Sequence, residues 1–324
     1  MVLERAVKKL VVLGTGGTLA GTRTGAGLGG YAAAQLDVQS LLAGVPLPAG
    51  CALITEQVAQ VDSKDMDVPL WQALLRRCLY WLAQPDVQGL VITHGTDTAE
   101  ETAFLLHCLL PAAASVVLTC AMRPADAPDA DGPTNLRDAL AVAAQPQGRG
   151  VVLVCAGRIL GAQHVQKVHS QRLDAFSSGD AGDFGTVRDG CVRWAQSSDI
   201  MPWRGAGAWP TVAQVLDAEA WPRVEIVLSH AAVDGFVVDA LLAYAGPRPV
   251  QGLVVAATGA GTLHQALEEA LHRAQDRGVR VLLSSRCPWG ELARADVWTL
   301  PGVALPPVKA RLALMLSLMA QVGA

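Results

Sequence analysis

Two short segments concentrate hydroxyl side chains beside glycine: Leu13-Gly14-Thr15-Gly16-Gly17-Thr18-Leu19-Ala20-Gly21 and Val91-Ile92-Thr93-His94-Gly95-Thr96-Asp97-Thr98. A threonine hydroxyl attacks a carbonyl only when a base removes its proton. A lysine held against an aspartate can serve as that base, because burial favours the neutral amine. Asp97 lies within the second segment, and Lys167 closes Gly161-Ala162-Gln163-His164-Val165-Gln166-Lys167. A third polar run, Val61-Asp62-Ser63-Lys64-Asp65-Met66, adds Asp62 and Ser63. Each segment also has a purely structural reading: a glycine turn, a helix capped by Thr96 or Asp97, a solvated loop capped by Asp65, and a surface lysine.

Other chemistries find no footing. The first segment fails G-x-G-x-x-G because Leu19 stands at the last position, and no G-K-[ST] follows it. There is no H-E-x-x-H, no His/Cys cluster and no G-x-S-x-G elbow. No metal and no cofactor is expected. The seven cysteines are scattered without a C-x-x-C and read as reduced, buried small hydrophobes.

The three polar segments share one placement: each follows an apolar run that reads as a strand. Leu10–Leu13, Ala52–Val58, Gly89–Thr93, Val116–Ala121 and Val151–Cys155 are short apolar stretches that read as fully buried strands. Between them lie helical stretches. Leu70–Leu82 has Pro69 at its start, Asp97–Leu110 has Asp97 as N-cap with Glu100 three residues on, and Asn135–Ala144 completes the set. Strands alternating with helices make a parallel sheet, and ligands of such sheets sit beyond the carboxyl ends of the strands. Gly21, Gly25, Gly27, Gly29 and Gly30 make residues 19–31 either a lid over that edge or an ordinary surface loop. Residues 197–222 read as a linker after a hairpin at Gly185–Trp194. The pattern then restarts with strands Val224–Ser229, Gly252–Ala257 and Val279–Ser284, and with helices Asp234–Ala245, Leu263–Arg277 and Pro306–Ala320. The expected division is therefore 1–196, a linker at 197–222, and 223–324.

A chain that is 51% hydrophobic and 17% charged is not disordered. A net charge of −4 offers nothing to nucleic acid or to an anionic membrane. Phe104–Met122 lacks Asp, Glu, Lys and Arg, but Pro111 divides it into a buried helix and a buried strand, so no membrane span is expected. The apolar run near the N-terminus is short and flows into the glycine turn, so no signal peptide is read there.

Gly16-Gly17-Thr18-Leu19-Ala20-Gly21, Thr93-His94-Gly95-Thr96-Asp97-Thr98-Ala99-Glu100-Glu101-Thr102 and Ala121-Met122-Arg123-Pro124 with Asp131-Gly132-Pro133-Thr134-Asn135-Leu136 together resemble the bacterial-type L-asparaginase family. Ser284-Ser285-Arg286-Cys287-Pro288 and Pro306–Ala310 extend the resemblance over nearly the whole chain. It implies an α/β fold, with a larger N-terminal parallel-sheet, flavodoxin-like domain plus a smaller C-terminal parallel α/β domain. It implies hydrolysis of L-asparagine to L-aspartate and ammonia without metal or cofactor. Thr18 matches the family's nucleophile, Tyr31 its lid tyrosine, Thr96 and Asp97 the second threonine and its aspartate, and Lys167 the lysine completing that set. Asp62 and Ser63 match the pair at the substrate's α-carboxylate, and Asp97 would hold the α-ammonium. Arg123, Asp131 and Asn135 read as structural. Lys64 stands where many members carry a neutral or acidic residue, and Glu291 is the nearest match to the glutamate contributed by a partner subunit. The resemblance further implies a homodimer or homotetramer, and the Asp62-Ser63 pair is similar to cytoplasmic members. Two rival readings stand beside it: a glutaminase-asparaginase or related ω-amidase of relaxed specificity, and a catalytically silent amino-acid-binding module.

Overall fold

The computed structural model describes residues 7–24, 30–195, 209–293 and 300–321. The chain divides into two compact units, residues 1–203 and 204–324.

The first unit opens with β1 (Lys8–Gly16), the short strands β2 (Thr22–Arg23) and β3 (Tyr31–Ala32), the single turn α1 (Val38–Leu41) and β4 (Cys51–Val61). It continues through α2 (Val68–Leu82), β5 (Val87–Thr93), α3 (Ala99–Leu109), β6 (Ser115–Thr119), α4 (Gly132–Ala143) and β7 (Gly150–Cys155). Five short strands end it: β8 (Arg158–Gly161), β9 (Gln166–Lys167), β10 (Phe176–Ser177), β11 (Gly185–Arg188) and β12 (Cys191–Trp194). One eight-stranded sheet runs in the order β12-β11-β8-β7-β6-β5-β1-β4. The strands β4, β1, β5, β6 and β7 are parallel, and β8, β11 and β12 extend the sheet antiparallel. The fold is therefore α/β, as the alternating pattern requires.

The apolar runs explain the sheet. Leu10–Leu13, Leu90–Ile92 and Val116–Leu118 have almost no exposure on either face. Ala52–Val58 departs from the expectation of full burial: β4 is the edge strand and is half-buried along its length, because one flank of an edge strand has no neighbour. Its Glu56 is instead paired with Arg77 of α2 and accepts from the Trp81 indole at 2.7 Å, which fastens α2 to the edge. The helix α2 starts where the Asp67 carboxylate accepts from Leu70 N–H at 2.9 Å, and it buries Trp71, Leu74, Leu75 and Cys78 at helical spacing. Among the described residues no helix is long and apolar enough to cross a membrane. The cysteines only partly match their reading: Cys78, Cys108, Cys120 and Cys155 are buried, Cys51 is half-buried, and Cys191 and Cys287 are exposed.

One connection breaks the usual handedness. Val38 of α1 and Leu136 and Leu140 of α4 share a core with Leu10, Val12, Val91 and Val117, so both helices cover one face. The step from β1 to β4 and the step from β6 to β7 run in opposite directions along the sheet. Two connections with those properties have opposite hands, against the right-handed rule. The loop entering α4 is accordingly pinned. Asp131 accepts from the backbone N–H groups of Met122 and Arg123, both at 3.0 Å, and Asn135 donates to Cys120 O at 2.9 Å and accepts from Ala156 N–H at 3.0 Å.

The second unit contains α5 (Val212–Asp217), β13 (Val224–Leu228), α6 (Phe236–Ala243), β14 (Gly252–Ala257), α7 (Gln265–Asp276), β15 (Arg280–Ser285) and α8 (Pro307–Met319). Its three strands form a parallel sheet in the order β13-β14-β15. The helix α5 corrects the reading of 197–222 as linker throughout. Thr211 and Gln214 form a reciprocal capping box that starts a helix there, while residues 197–208 lie outside the described residues.

Asn135→Ala removes four polar contacts of a side chain that is 2% exposed, leaving Cys120 O and Ala156 N–H without their partner. The expected loss is about 2–4 kcal/mol, read as a lowered thermal midpoint with the far-UV spectrum of the folded state unchanged.

Candidate functional site

The three polar segments converge at the point where the sheet reverses direction, with β1 between β4 and β5. The contact that joins them is between backbones. Gly17 has φ +82°, and a Cβ there would overlap Gly95. A Cβ on Gly95 would lie 2.5 Å from Ser63 Oγ. Only residues without a side chain allow this approach. Gly17 N–H also donates to Val61 O at 2.9 Å, and the Thr15 hydroxyl donates to Thr93 O at 2.8 Å. Thr18 and Thr96 each follow directly on a glycine of this contact, and both are nearly buried.

Lys167 closes the cluster from β9. Its Nζ lies 2.8 Å from Thr96 Oγ1 and 2.5 Å from Asp97 Oδ1. Its side chain is 17% exposed and that of Asp97 50%, so the pair sits at a partly covered mouth. β9 is held by antiparallel pairing with β10, Phe176 opposite Lys167. Lys167 N–H adds a contact to Glu100 Oε1 at 3.4 Å. Asp97 is not the N-cap expected of it. Thr98 holds that position, without a side-chain bond to the first turn, and its hydroxyl donates to Ser63 O at 2.7 Å. The Asp97 carboxylate instead faces the Lys167 amine.

Ser63 is buried and accepts from Asp97 N–H at 3.2 Å. Asp62 caps the short turn Ser63–Asp65, accepting from Lys64 N–H at 3.4 Å. Lys64 points outward: its Nζ lies 3.1 Å from Asp62 and 2.7 Å from Asp65, and its side chain is 61% exposed. The Asp65 contact, then that of Asp62, raises the Lys64 pKa above its ordinary value. Tyr31 enters through its backbone, in β3 opposite Arg23 of β2. Residues 19–31 are thus a hairpin at their base, tied down where Arg23 N–H donates to Asp126 at 3.0 Å; residues 25–29 lie outside the described residues. Glu291 is exposed in the second unit.

The structure therefore brings together Thr18, Thr96, Asp97, Lys167, Asp62 and Ser63 on one edge of the first unit. His94 and Glu100 stand beside them, and neither draws attention as a participant in the sequence. His94 is fully buried, and burial holds its pKa down to about 4. It is neutral at physiological pH and is no proton shuttle for an exposed site. Among the described residues no group of three or more His, Cys, Asp and Glu could hold a metal ion.

Comparison with known proteins follows the same division. Residues 9–199 match the family described as Asparaginase, N-terminal, and residues 223–323 the Glutaminase/Asparaginase C-terminal domain. The chain is 33% identical over 325 residues to L-asparaginase 2 of Bacillus subtilis (strain 168), covering 97% of this chain and 84% of that protein. It is 34% identical over 319 residues to a probable periplasmic L-asparaginase of Haemophilus influenzae, covering 95% and 88%. The crystal structure of a probable cytoplasmic L-asparaginase from Campylobacter jejuni superposes with a TM-score of 0.84 at 34% identity, covering 96% of this chain and 95% of that one.

The burial of His94 has a measurable consequence. Its folded-state pKa lies below the 6.5 of an exposed imidazole, so the unfolded chain binds the proton first. The associated stability is complete above pH 6.5 and is lost as pH falls towards 4. It amounts to about 3 kcal/mol at most. Urea unfolding between pH 7 and pH 4 should show this slope, and His94→Gln should flatten it.

Proposed function

The chain belongs to the asparaginase family, and on that premise we propose that it hydrolyses the side-chain amide of L-asparagine to L-aspartate and ammonia, with Thr18 as nucleophile. The observation that carries this reading is the Lys167 amine in reach of both Thr96 and Asp97, on a loop whose Gly95 touches the glycine before Thr18. In the reaction the Thr18 hydroxyl adds to the amide carbon, and its proton passes to the nitrogen that leaves. The carbonyl oxygen becomes an oxyanion, ammonia leaves, and water hydrolyses the threonyl ester. Thr96, Lys167 and Asp97 are the hydrogen-bonded set that relays protons in these steps. Ser63 and Asp62 face the substrate's α-carboxylate end, and Asp97 also takes the α-ammonium. Tyr31 is taken as the lid tyrosine that assists Thr18. Metal and cofactor have no part in this scheme.

Residues 1–196 are taken as the catalytic domain, joined through 197–222 to a smaller domain, 223–324. The chain is taken to act as a homodimer or homotetramer. Phe236, Val237, Leu228 and Tyr244 of the second unit are exposed apolar side chains of the kind that subunit contacts cover. The likeness to the Campylobacter enzyme supports a cytoplasmic location, and cell fractionation tests it.

A second reading is favoured by the C-terminal family description, which names glutaminase as well. Ammonia release from asparagine and from glutamine separates the two. A kcat/KM for asparagine well above that for glutamine is expected, and equal values favour the relaxed amidase. Thr18→Ala should fold normally and lose turnover by about 10³-fold or more. Wild-type turnover in that variant refutes the nucleophile, and aspartate binding without ammonia release from any ω-amide would mark a silent binding module.

A further inference from the structure

His94 transfers no proton in the reaction above, yet both its ring nitrogens are engaged. Nδ1 lies 2.8 Å from Gly95 O, and Nε2 lies 3.0 Å from Thr102 Oγ1. A carbonyl oxygen only accepts, so a neutral His94 carries its proton on Nδ1 and donates it to Gly95 O. Nε2 is then an acceptor and takes the Thr102 hydroxyl proton. Thr102 Oγ1 accepts in turn from the Trp71 indole N–H at 2.9 Å, and an indole N–H only donates. Every link therefore has one direction, from Trp71 on α2 through Thr102 on α3 to His94 and Gly95. Trp71, Thr102 and His94 are buried, so water does not compete for these groups.

The terminal acceptor is what matters. Gly95 is a glycine because of the close approach of Gly17 and Ser63, and that leaves its backbone free to rotate. Among the described residues every peptide bond is trans. In a planar trans peptide the carbonyl and the following N–H point in opposite directions. Holding Gly95 O towards His94 therefore aims the Thr96 N–H away from it. Thr96 is 5% exposed, and among the described residues its N–H meets no acceptor.

We propose that His94 is a positioning residue: with Thr102 and Trp71 it locks the Gly95–Thr96 peptide so that the Thr96 N–H is the donor to the oxyanion. The inference rests on the acyl-transfer reading given above. It explains why an imidazole that does not titrate in the working range sits one residue from the contact between the loops. An aliphatic side chain in its place would leave the glycine carbonyl without a fixed donor.

Two measurements on the full chain test it. Nitrogen-15 histidine spectra of the wild type should show His94 with a protonated Nδ1 and a bare, accepting Nε2 at neutral pH; a protonated Nε2 overturns the lock. This readout is independent of turnover, so it still decides the lock if the asparaginase reading fails. In the second, Thr102→Val removes the middle of the chain and keeps the side-chain volume. Its kcat for asparagine should fall ~10–100-fold with KM changed less than about twofold, as for a misaimed oxyanion donor. Thr102→Ser, which restores the hydroxyl, should recover most of the loss. A folded Thr102→Val enzyme with wild-type kcat overturns the proposal, as does a change confined to KM. If Thr102→Val does not fold, Trp71→Phe, which removes the first donor, takes its place: a kcat loss at constant KM supports the relay, and unchanged kcat overturns it.

Discussion

The site depends on two glycine backbones in contact. Gly17 has no room for a Cβ against Gly95, and Gly95 has none against Ser63. That steric fact places the loops after β1 and β5 against each other, with the Ser63 turn after β4 as the third wall. Everything chemical is one residue away. Thr18 and Thr96 follow the two glycines, and Asp97 and Lys167 gather around the second. The sheet supplies the alignment, because β1 lies between β4 and β5 in parallel register and all three strands deliver their carboxyl ends to the same edge.

Charge at this edge is arranged in two groups. Lys64 is absorbed by Asp62 and Asp65 on the outside, whereas Lys167 faces Asp97 and Thr96 at the partly covered mouth. The exposed group contributes little to stability, since solvent screens it. The loop of the opposite-handed connection borders the same region, with Ala125 N–H donating to Gly21 O at 2.9 Å. An uncommon crossing thus reaches the segment that carries Thr18, and Asp131 and Asn135 hold it in place.

Much of this was legible in the sequence, and the parts that were not have physical reasons. Apolar runs announced β1, β5, β6 and β7 because strands buried on both faces need no polar alternation. The edge position of β4 was hidden, because strand order is a property of the whole sheet. Asp97 has the preference and spacing of an N-cap, but a preference of neighbours is overruled by a lysine that lies far along the chain. Lys167 itself is an ordinary lysine in sequence; only the pairing of β9 with β10 gives it a partner. The direction of the proton on His94 depends on Trp71 and Thr102, which come from two different helices. The helix α5 shows the reverse case, a local capping box inside a stretch whose composition reads as linker.

The strand that presents Lys167 is two residues long, against nine for β1 and seven for β5. A ladder so short holds few hydrogen bonds of its own. The lysine is therefore held mainly through the strand opposite it, where Phe176 is buried in the interior.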